Sequence, residues 1–483
     1  MISTQPRPLE GLRVGPGISA LGEGFVEVRD PTPLPNPRLV AFNSDVAELL
    51  GFDPGESARP EFLRLVSGAA RFGTIPAYAA VYAGHQFGAY VPQLGDGRAI
   101  ALGDVLAPSG ERYEWQLKGA GVTAFSRFGD GRAVLRSTIR EYLASEALHH
   151  LGIPTTRALA IAGSDEPVRR ERVETAAVLS RIAPTHVRFG SFEYFHYARR
   201  QAELQTLADY TIAHFFPEFE EAAGEERYAR WLYEVVERTA RLVAAWQAAG
   251  FAHGVLNTDN MSIVGLTLDY GPFGFMEAYD PGFICNHSDD VGRYAFGQQP
   301  AIGLWNCRAL AHALQSLVSE PARERALAAY EPAFERAYVE GLRRKLGLRE
   351  RLDGDPALIE ALLDLLERTK TDYTLFFRDL SRLPSAAFEG GPYAEWQARY
   401  RARLTAESSV DAERSGAMLR ANPAVVLRNH LAQTAIAAAE AGDDAEIARL
   451  LDVLRRPFDE PADERDARPA PPGSPVVEVS CSS

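Results

Sequence analysis

The hydrophobic and polar positions of this chain change rhythm several times along its length. Residues 1–36 are rich in Pro and Gly, show no sustained period, and read as an extended lead-in. Apolar residues at helical spacing follow at 44–51 and 58–68, with Ser44 placed to cap the first helix. Residues 98–107 and 112–118 read as paired strands joined by the turn signal Pro108-Ser109-Gly110-Glu111. A helix pattern over 134–150 closes at Gly152 and Pro154, and strands fit 157–162 and 173–183. The pattern is helical from 199 to 250. At 253–282 Gly, Asn, Asp and Tyr dominate, and short apolar runs predict small strands. Helix returns after about 305 and runs to about 456. Six prolines within 457–475 mark a linker or tail that leads to a short apolar patch and the near-terminal Cys481. The pentapeptide Gly-Asp-Gly-Arg-Ala stands at both 95–99 and 129–133, but nothing flanking it repeats, so it marks two similar tight turns.

This order divides the chain into five parts. They are an N-terminal segment (1–36), a lobe of sheet plus helices (37–190), a helical lobe with polar loops (191–345), a helical C-terminal extension (346–456) and a Pro-rich tail (457–483). The expected class is α+β, a small sheet lobe stacked on a helical lobe with a nucleotide held in the cleft. A length of 483 residues suits such an enzyme, and 46% hydrophobic with 24% charged residues excludes disorder throughout. No run of 18 apolar residues predicts a membrane span. The net charge of −14 argues against general nucleic-acid binding, which needs a basic surface to displace counterions. The first 20 residues lack the pattern of a signal peptide, and three cysteines cannot form a disulfide framework. A soluble, cytoplasmic monomer is expected, with partners that are neither membrane nor nucleic acid.

Composition becomes sharper at lysine. Of 51 basic residues only Lys118, Lys345 and Lys370 are lysine. A chain that uses arginine wherever a positive charge suffices should have replaced a lysine of no consequence, and the two are not interchangeable at a point-charge site. Lys118, in Gln116-Leu117-Lys118-Gly119-Ala120-Gly121, is therefore a candidate functional residue at the end of a predicted strand. A phosphate-binding lysine there needs a carboxylate from the following helix. Glu141 and Glu146 both qualify, and periodicity does not choose between them.

The second candidate is His253-Gly254-Val255-Leu256-Asn257-Thr258-Asp259-Asn260, followed by Leu268-Asp269-Tyr270-Gly271. A kinase-type site needs a catalytic Asp, an Asn five residues later, and an Asp before a Gly on the next strand. Asn260 and Asp269 fit the two metal positions, where a hard cation takes oxygen ligands. The catalytic-base position is Val255, which cannot accept a proton; Asp259 is the nearest carboxylate that could replace it. Leu94-Gly95-Asp96-Gly97-Arg98 and Phe128-Gly129-Asp130-Gly131-Arg132 are weaker candidates for backbone contact with phosphate, and neither is a Walker A loop. Arg181 and Arg188 lie near a strand-to-helix junction, where two guanidinium groups can clamp a triphosphate, but in a chain this rich in arginine the pattern alone does not select them. No zinc-type spacing, Gly-x-Ser-x-Gly elbow or Cys-x-x-Cys pair occurs.

Taken in order, Gly-His-Gln-Phe-Gly at 84–88, Leu-Gly-Asp-Gly-Arg at 94–98, Gln-Leu-Lys-Gly-Ala-Gly at 116–121, His-Gly-Val-Leu-Asn-Thr-Asp-Asn-Met at 253–261, Leu-Asp-Tyr-Gly-Pro-Phe-Gly-Phe at 268–275 and the run Asp280–Asp289 resemble the selenoprotein O family. The resemblance spans roughly residues 35 to 483. It implies a protein-kinase-like two-lobed fold with a mainly helical C-terminal extension, once classed as a pseudokinase. It also implies transfer of AMP from ATP, bound in a flipped orientation, to Ser, Thr or Tyr hydroxyls of target proteins. Transfer of UMP from UTP, with Mg²⁺ or Mn²⁺ as the cation, belongs to the same expectation. Residue by residue, Lys118 and Glu141 resemble the orienting ion pair. Gly95, Gly97, Arg98, Asp130, Gly131, Arg181, Arg188 and Asp269 resemble the other nucleotide contacts. Asp259 resembles the proton acceptor, and Asn260 with Asp269 the metal ligands. Cys285 and Cys481 resemble a pair able to form a regulatory disulfide. The alternatives are an inactive nucleotide-binding pseudokinase scaffold and a kinase that transfers the γ-phosphoryl group.

Overall fold

In a computed structural model, residues 7–382, 391–471, 473, 474, 477 and 479 are described. Thirteen strands occur among them: β1 (Val14–Gly15), β2 (Val26–Val28), β3 (Arg38–Phe42), β4 (Tyr78–Ala80), β5 (Gly84–Gln86), β6 (Ala89–Val91), β7 (Ala99–Leu106), β8 (Arg112–Lys118), β9 (Ala133–Val134), β10 (Arg157–Arg169), β11 (Val173–Ala183), β12 (Phe251–Ala252) and β13 (Gly274–Phe275). Nine form one antiparallel sheet in the order β2-β4-β7-β8-β11-β10-β3, with β1 added to β7 and β9 to β11. The N-terminal segment thus does more than lead in: its strands β1 and β2 complete hydrogen-bond ladders that β7 and β4 would otherwise leave open. The β7–β8 hairpin turns where the sequence places it, with Leu106 opposite Arg112.

The helices of the sheet lobe are α1 (Ser44–Leu50), α2 (Pro60–Val66) and α3 (Leu135–His150). The cap of α1 is Asn43 and not Ser44: the Asn43 side chain accepts from the Asp45 amide while its own backbone is extended. The first two helices cover one face of the sheet, where Phe52, Phe62 and Trp115 are fully buried. Helix α3 covers the other.

The helical lobe holds α4 (Phe189–Tyr197), α5 (Gln201–Phe215), α6 (Glu225–Ala249), α7 (Gln299–Ala313), α8 (Glu320–Ala328) and α9 (Tyr330–Lys345). The helical stretch predicted over 199–250 breaks at Phe216–Gly224, where Pro217 lacks the amide a continuing helix needs and Gly224 takes φ 60°. Of the small strands predicted in 253–282, only β13 forms; it pairs with β12, which lies just before the range, and the rest is loop.

The C-terminal extension comprises α10 (Asp355–Thr369), α11 (Tyr373–Ser381), α12 (Ala394–Ala406), α13 (Asp411–Ala421), α14 (Asn429–Glu440) and α15 (Ala445–Leu454). It is not a peripheral appendage. Leu431, Ile436, Ile447 and Leu450 share one apolar core with Ile139, Leu143 and Leu148 of α3 and with Phe251 and Phe273 of the polar-loop region. Helix α3 is thereby held between the sheet and α14–α15. The Pro-rich tail is docked where it is described: the Pro457 carbonyl accepts from Ala424, Asp466 pairs with Arg449 at 2.7 Å, and the His287 amide donates to the Val479 carbonyl.

The lysines occupy three environments. Lys118 lines the interlobe cleft. Lys345 is buried, with its ammonium 4.5 Å from the Phe377 ring centre and 5.2 Å from that of Tyr373, and desolvation pushes it down to about 7. The Lys370 side chain is 62% exposed. Among the described residues no helix is long and apolar enough to cross a membrane.

Candidate active site

A cavity of about 670 Å³ opens between the lobes, a size suited to a nucleotide. Its floor is a charge cluster built from four elements. Lys118 ends β8, and because side chains alternate along a strand, Gln116 points to the same face. Arg181 stands opposite Gln116 on β11 and takes its side-chain oxygen in a 3.1 Å bond from Nε. Glu141 of α3 meets Lys118 at 2.5 Å and Arg181 at 3.3 Å. Glu146 goes elsewhere: it pairs with Arg157 at 2.7 Å and accepts from the Ala158 amide, so the structure chooses Glu141 as the partner of Lys118.

Asp269 closes the cluster. Arg181 holds its Oδ1 at 2.5 Å, Arg188 holds its Oδ2 at 2.7 Å, and Lys118 lies 3.6 Å away. Burial alone would raise this carboxyl, but the charges of Arg181, Arg188 and Lys118 outweigh it and hold Asp269 well below the usual carboxylate range. Its backbone sits at φ 59°, a strained setting for a non-glycine residue. Burial likewise lowers the Lys118 ammonium against the pull of Glu141 and Asp269. The cavity floor is thus a set of fixed cations already opposed by carboxylates, able to exchange those contacts for phosphate oxygens.

Arg188 fastens the floor to the loop that carries Asp259 and Asn260. Segment Val187–Phe189 pairs through its backbone with Met261–Ile263, and the Arg188 guanidinium donates to the Asp259 carbonyl at 2.7 Å while lying 4.3 Å from the Tyr82 ring centre. Asp259 lines the cavity. One carboxylate oxygen accepts from the Gln86 amide at 3.1 Å; the other, Oδ1, is buried with no hydrogen-bond partner. Desolvation raises the Asp259 carboxyl to about 7, with Gln86 and Arg188 opposing. A buried carboxyl poised near neutrality is suited to take a proton.

Asn260 and Val255 also line the cavity. The Asn260 amide nitrogen donates to the Val255 carbonyl at 3.0 Å, which turns it away as a donor and leaves Oδ1 for another partner. Asn260 Oδ1 and the Asp269 carboxylate are hard oxygen donors, and they fit the ligand chemistry of Mg²⁺ or Mn²⁺. Among the described residues no group of three His, Cys, Asp or Glu side chains gathers into a metal cluster.

The remaining sequence candidates divide. Arg98 lines the cavity, where desolvation lowers it and Asp269 and Glu141 oppose. Gly95 and Gly97 line it too, and both are packed against Phe125. A Cβ on Gly95 would stand 2.2 Å from the Phe125 ring, and one on Gly97 would stand 2.9 Å from the Phe125 carbonyl. Asp130 and Gly131 sit on the facing rim, where Asp130 is bound by both ends of the Arg170 guanidinium. Cys285 is buried, with its sulfur 3.3 Å from the Pro272 carbonyl; Cys481 lies outside the described residues. Cys307 is buried, and desolvation pushes its thiol up to about 12.

Gly84–Gly88 carries no spacing that assigns it a role in the sequence. In the structure the β5–β6 hairpin lies across the loop that carries Asn257, Thr258 and Asp259. His85 donates from its amide to Thr258 and meets Glu193 of α4 through its ring, and the Phe87 amide reaches Tyr294 and Asn257. A Cβ on Gly84 would stand 2.8 Å from Asp259 Oδ1, so only glycine lets the hairpin come this close. Gln116 was visible as a strand neighbour of Lys118; Gln86, Glu193 and Asn257 carried no spacing signal.

The family model for protein adenylyltransferase SelO matches residues 8–455. The protein nucleotidyltransferase YdiU of Myxococcus xanthus is 53% identical, with 98% of this chain and 99% of the relative covered. That of Thioalkalivibrio sulfidiphilus is 52% identical over the same shares, and that of Salmonella paratyphi B is 50% identical over 94% and 96%.

Proposed function

Because the chain belongs to the SelO family of protein adenylyltransferases and is a protein nucleotidyltransferase, we propose that it moves AMP from ATP to Ser, Thr or Tyr hydroxyls of target proteins through the interlobe cavity. The observation that carries this reading is Asp259: a buried carboxyl near neutrality, with one oxygen held by Gln86 and the other unpartnered, beside a cation floor. The acceptor oxygen attacks the α-phosphorus, its proton passes to Asp259 Oδ1, and pyrophosphate leaves. Lys118, Arg181, Arg188 and Arg98 bind and orient the phosphates, and Glu141 keeps Lys118 in place. Asn260 and Asp269 would hold the divalent cation, which supplies charge neutralisation to the phosphates when bound. Most of the barrier reduction then falls to positioning and fixed charge. UTP offers the same phosphates, so UMP transfer belongs to the same reading.

An inactive scaffold has no need of a strained Asp269 or a desolvated Asp259. A γ-phosphoryl kinase would place its base at position 255, where this chain has valine. Protein labelled from α-³²P-ATP but not from γ-³²P-ATP is the expected result. Label from γ alone makes the protein a kinase, and label from neither makes it a scaffold.

A further inference from the structure

The β5–β6 hairpin has a second side. Gln86 faces Asp259, whereas its neighbour His85 faces away from the cavity into a group of rings. The His85 ring centre lies 5.3 Å from that of Trp305 on α7 and 5.3 Å from that of Tyr90, and Tyr90 is 4.1 Å from Tyr197 at the end of α4. Trp305 in turn lies 4.9 Å beneath the Arg293 guanidinium, and a Cβ on Gly88 at the hairpin tip would stand 3.3 Å from the same guanidinium. Beyond Arg293, a Cβ on Gly292 would stand 3.2 Å from the end of the Ile284 side chain. The result is a continuous strip from Tyr197 past the hairpin to Ile284, running beside the catalytic carboxylate.

This strip is exposed where a monomer would hide apolar surface. Phe87, Tyr197, Ile284 and Val291 all reach solvent, Val291 to 85%. Its one guanidinium is also unbalanced. Arg293 forms no ion pair among the described residues, and its Nε is buried without a partner. The adjacent Asp289 carboxylate is engaged by the backbone amides of Arg293 and Tyr294, and Glu193 is engaged by His85 and Thr258. Rings flanking a stacked, unpaired arginine recognise polypeptide, and the arginine selects a carboxylate.

We propose that this strip docks the acceptor: an extended segment of the target protein in which an acidic residue lies close to the hydroxyl that receives the nucleotide. The segment lays its apolar side chains on Trp305, Tyr90 and Tyr197 and its carboxylate on Arg293. This places the hydroxyl at the hairpin edge where Gln86 holds Asp259. The inference rests on the transferase reading above and adds the chemistry of the acceptor.

Random copolymers of Glu with Tyr and of Lys with Tyr, labelled from α-³²P-ATP, provide the test. Wild type should label the Glu–Tyr polymer with a KM at least tenfold lower than the Lys–Tyr polymer. Arg293→Glu should reverse that order, and Val291→Asp, at a position too exposed to unfold the protein, should raise the KM for Glu–Tyr. The KM for ATP should move less than twofold in both variants. Labelling of the proteins of a cell extract, run alongside, reports the reaction itself. No label there overturns the transferase reading. Label there with equal use of the two polymers, with neither polymer used, or with Arg293→Glu indistinguishable from wild type overturns the docking strip alone.

Discussion

At the scale of single residues, the site turns on carboxylates in opposite states. Asp269 is held ionised by three cations, whereas Asp259 is held near neutrality by burial. Asp259→Asn should therefore reduce turnover by about 10²–10⁴-fold while nucleotide affinity, measured by calorimetry, changes little. The wild-type rate should rise with pH through about 7 as Asp259 loses its proton. Stability should run the other way. The folded protein keeps this proton up to about 7 while the unfolded chain releases it near 4, so Asp259 weakens the fold progressively as pH rises between those values. Thermal melting of Asp259→Asn should exceed wild type at pH 8, with the gap shrinking toward pH 4; a constant gap would remove the titration from Asp259. A second contrast separates two glutamates on one helix. Glu141→Ala should lose turnover and cost less stability than Glu146→Ala, because Asp269 still faces the Lys118 and Arg181 charges that it leaves behind. Glu146→Ala should cost about 3–5 kcal/mol in stability, because it strands Arg157 at a buried pair, yet keep the KM for ATP. The sequence showed Lys118 through its rarity and Asn260 with Asp269 through their spacing. It could not choose between Glu141 and Glu146, because both fit the helix and only the packing of α3 decides which one turns to β8. Gln86 was beyond reach for a related reason: its partner is 173 residues away, and no local rule links them.

At the scale of elements, α3 is the part on which both chemistry and packing converge. It carries Glu141 on the sheet side and is gripped from behind by α14 and α15. Apolar runs and turn signals placed α3 together with β7, β8 and β11, strands buried on both faces over much of their length, whereas β10 runs on to Arg169 past the expected end at 162. What periodicity does not contain is which helix packs against which. The extension therefore read as an addition to the fold when it is the outer wall of α3. Leu450 of α15 is fully buried in that wall, and Leu450→Ala should cost about 2–5 kcal/mol in a denaturant titration. If α3 depends on its wall, the same variant should also weaken ATP binding, although Leu450 does not line the cavity. Unchanged affinity would show that Glu141 is positioned by the sheet alone.

At the scale of the whole molecule, the sheet lobe and the extension are stitched by charge as well as by apolar contact: Arg38 meets Asp444, and Arg455 meets Asp45 at 3.0 Å and Asn43 at 2.9 Å. Such surface pairs contribute little individually, so the shared core around α3 carries most of the coupling. Calorimetry should accordingly show one transition for sheet lobe and extension, and two separate transitions would deny the shared core. The preference for arginine has a practical outcome that concerns reagents more than folding. Of three side-chain amines, one lies in the cleft, one is sealed beneath Phe377 and Tyr373, and Lys370 alone stands in the open. An amine-directed dye or crosslinker thus meets a protein with a single ready lysine handle. Lys345 is lowered only by its burial, so on exposure it returns to the range of an ordinary lysine and reacts slowly, and only when the extension opens. The slow appearance of a label on Lys345, read by peptide mass spectrometry, follows the fraction of time the extension stands open, a gauge of breathing that an ordinary lysine-rich surface would drown out.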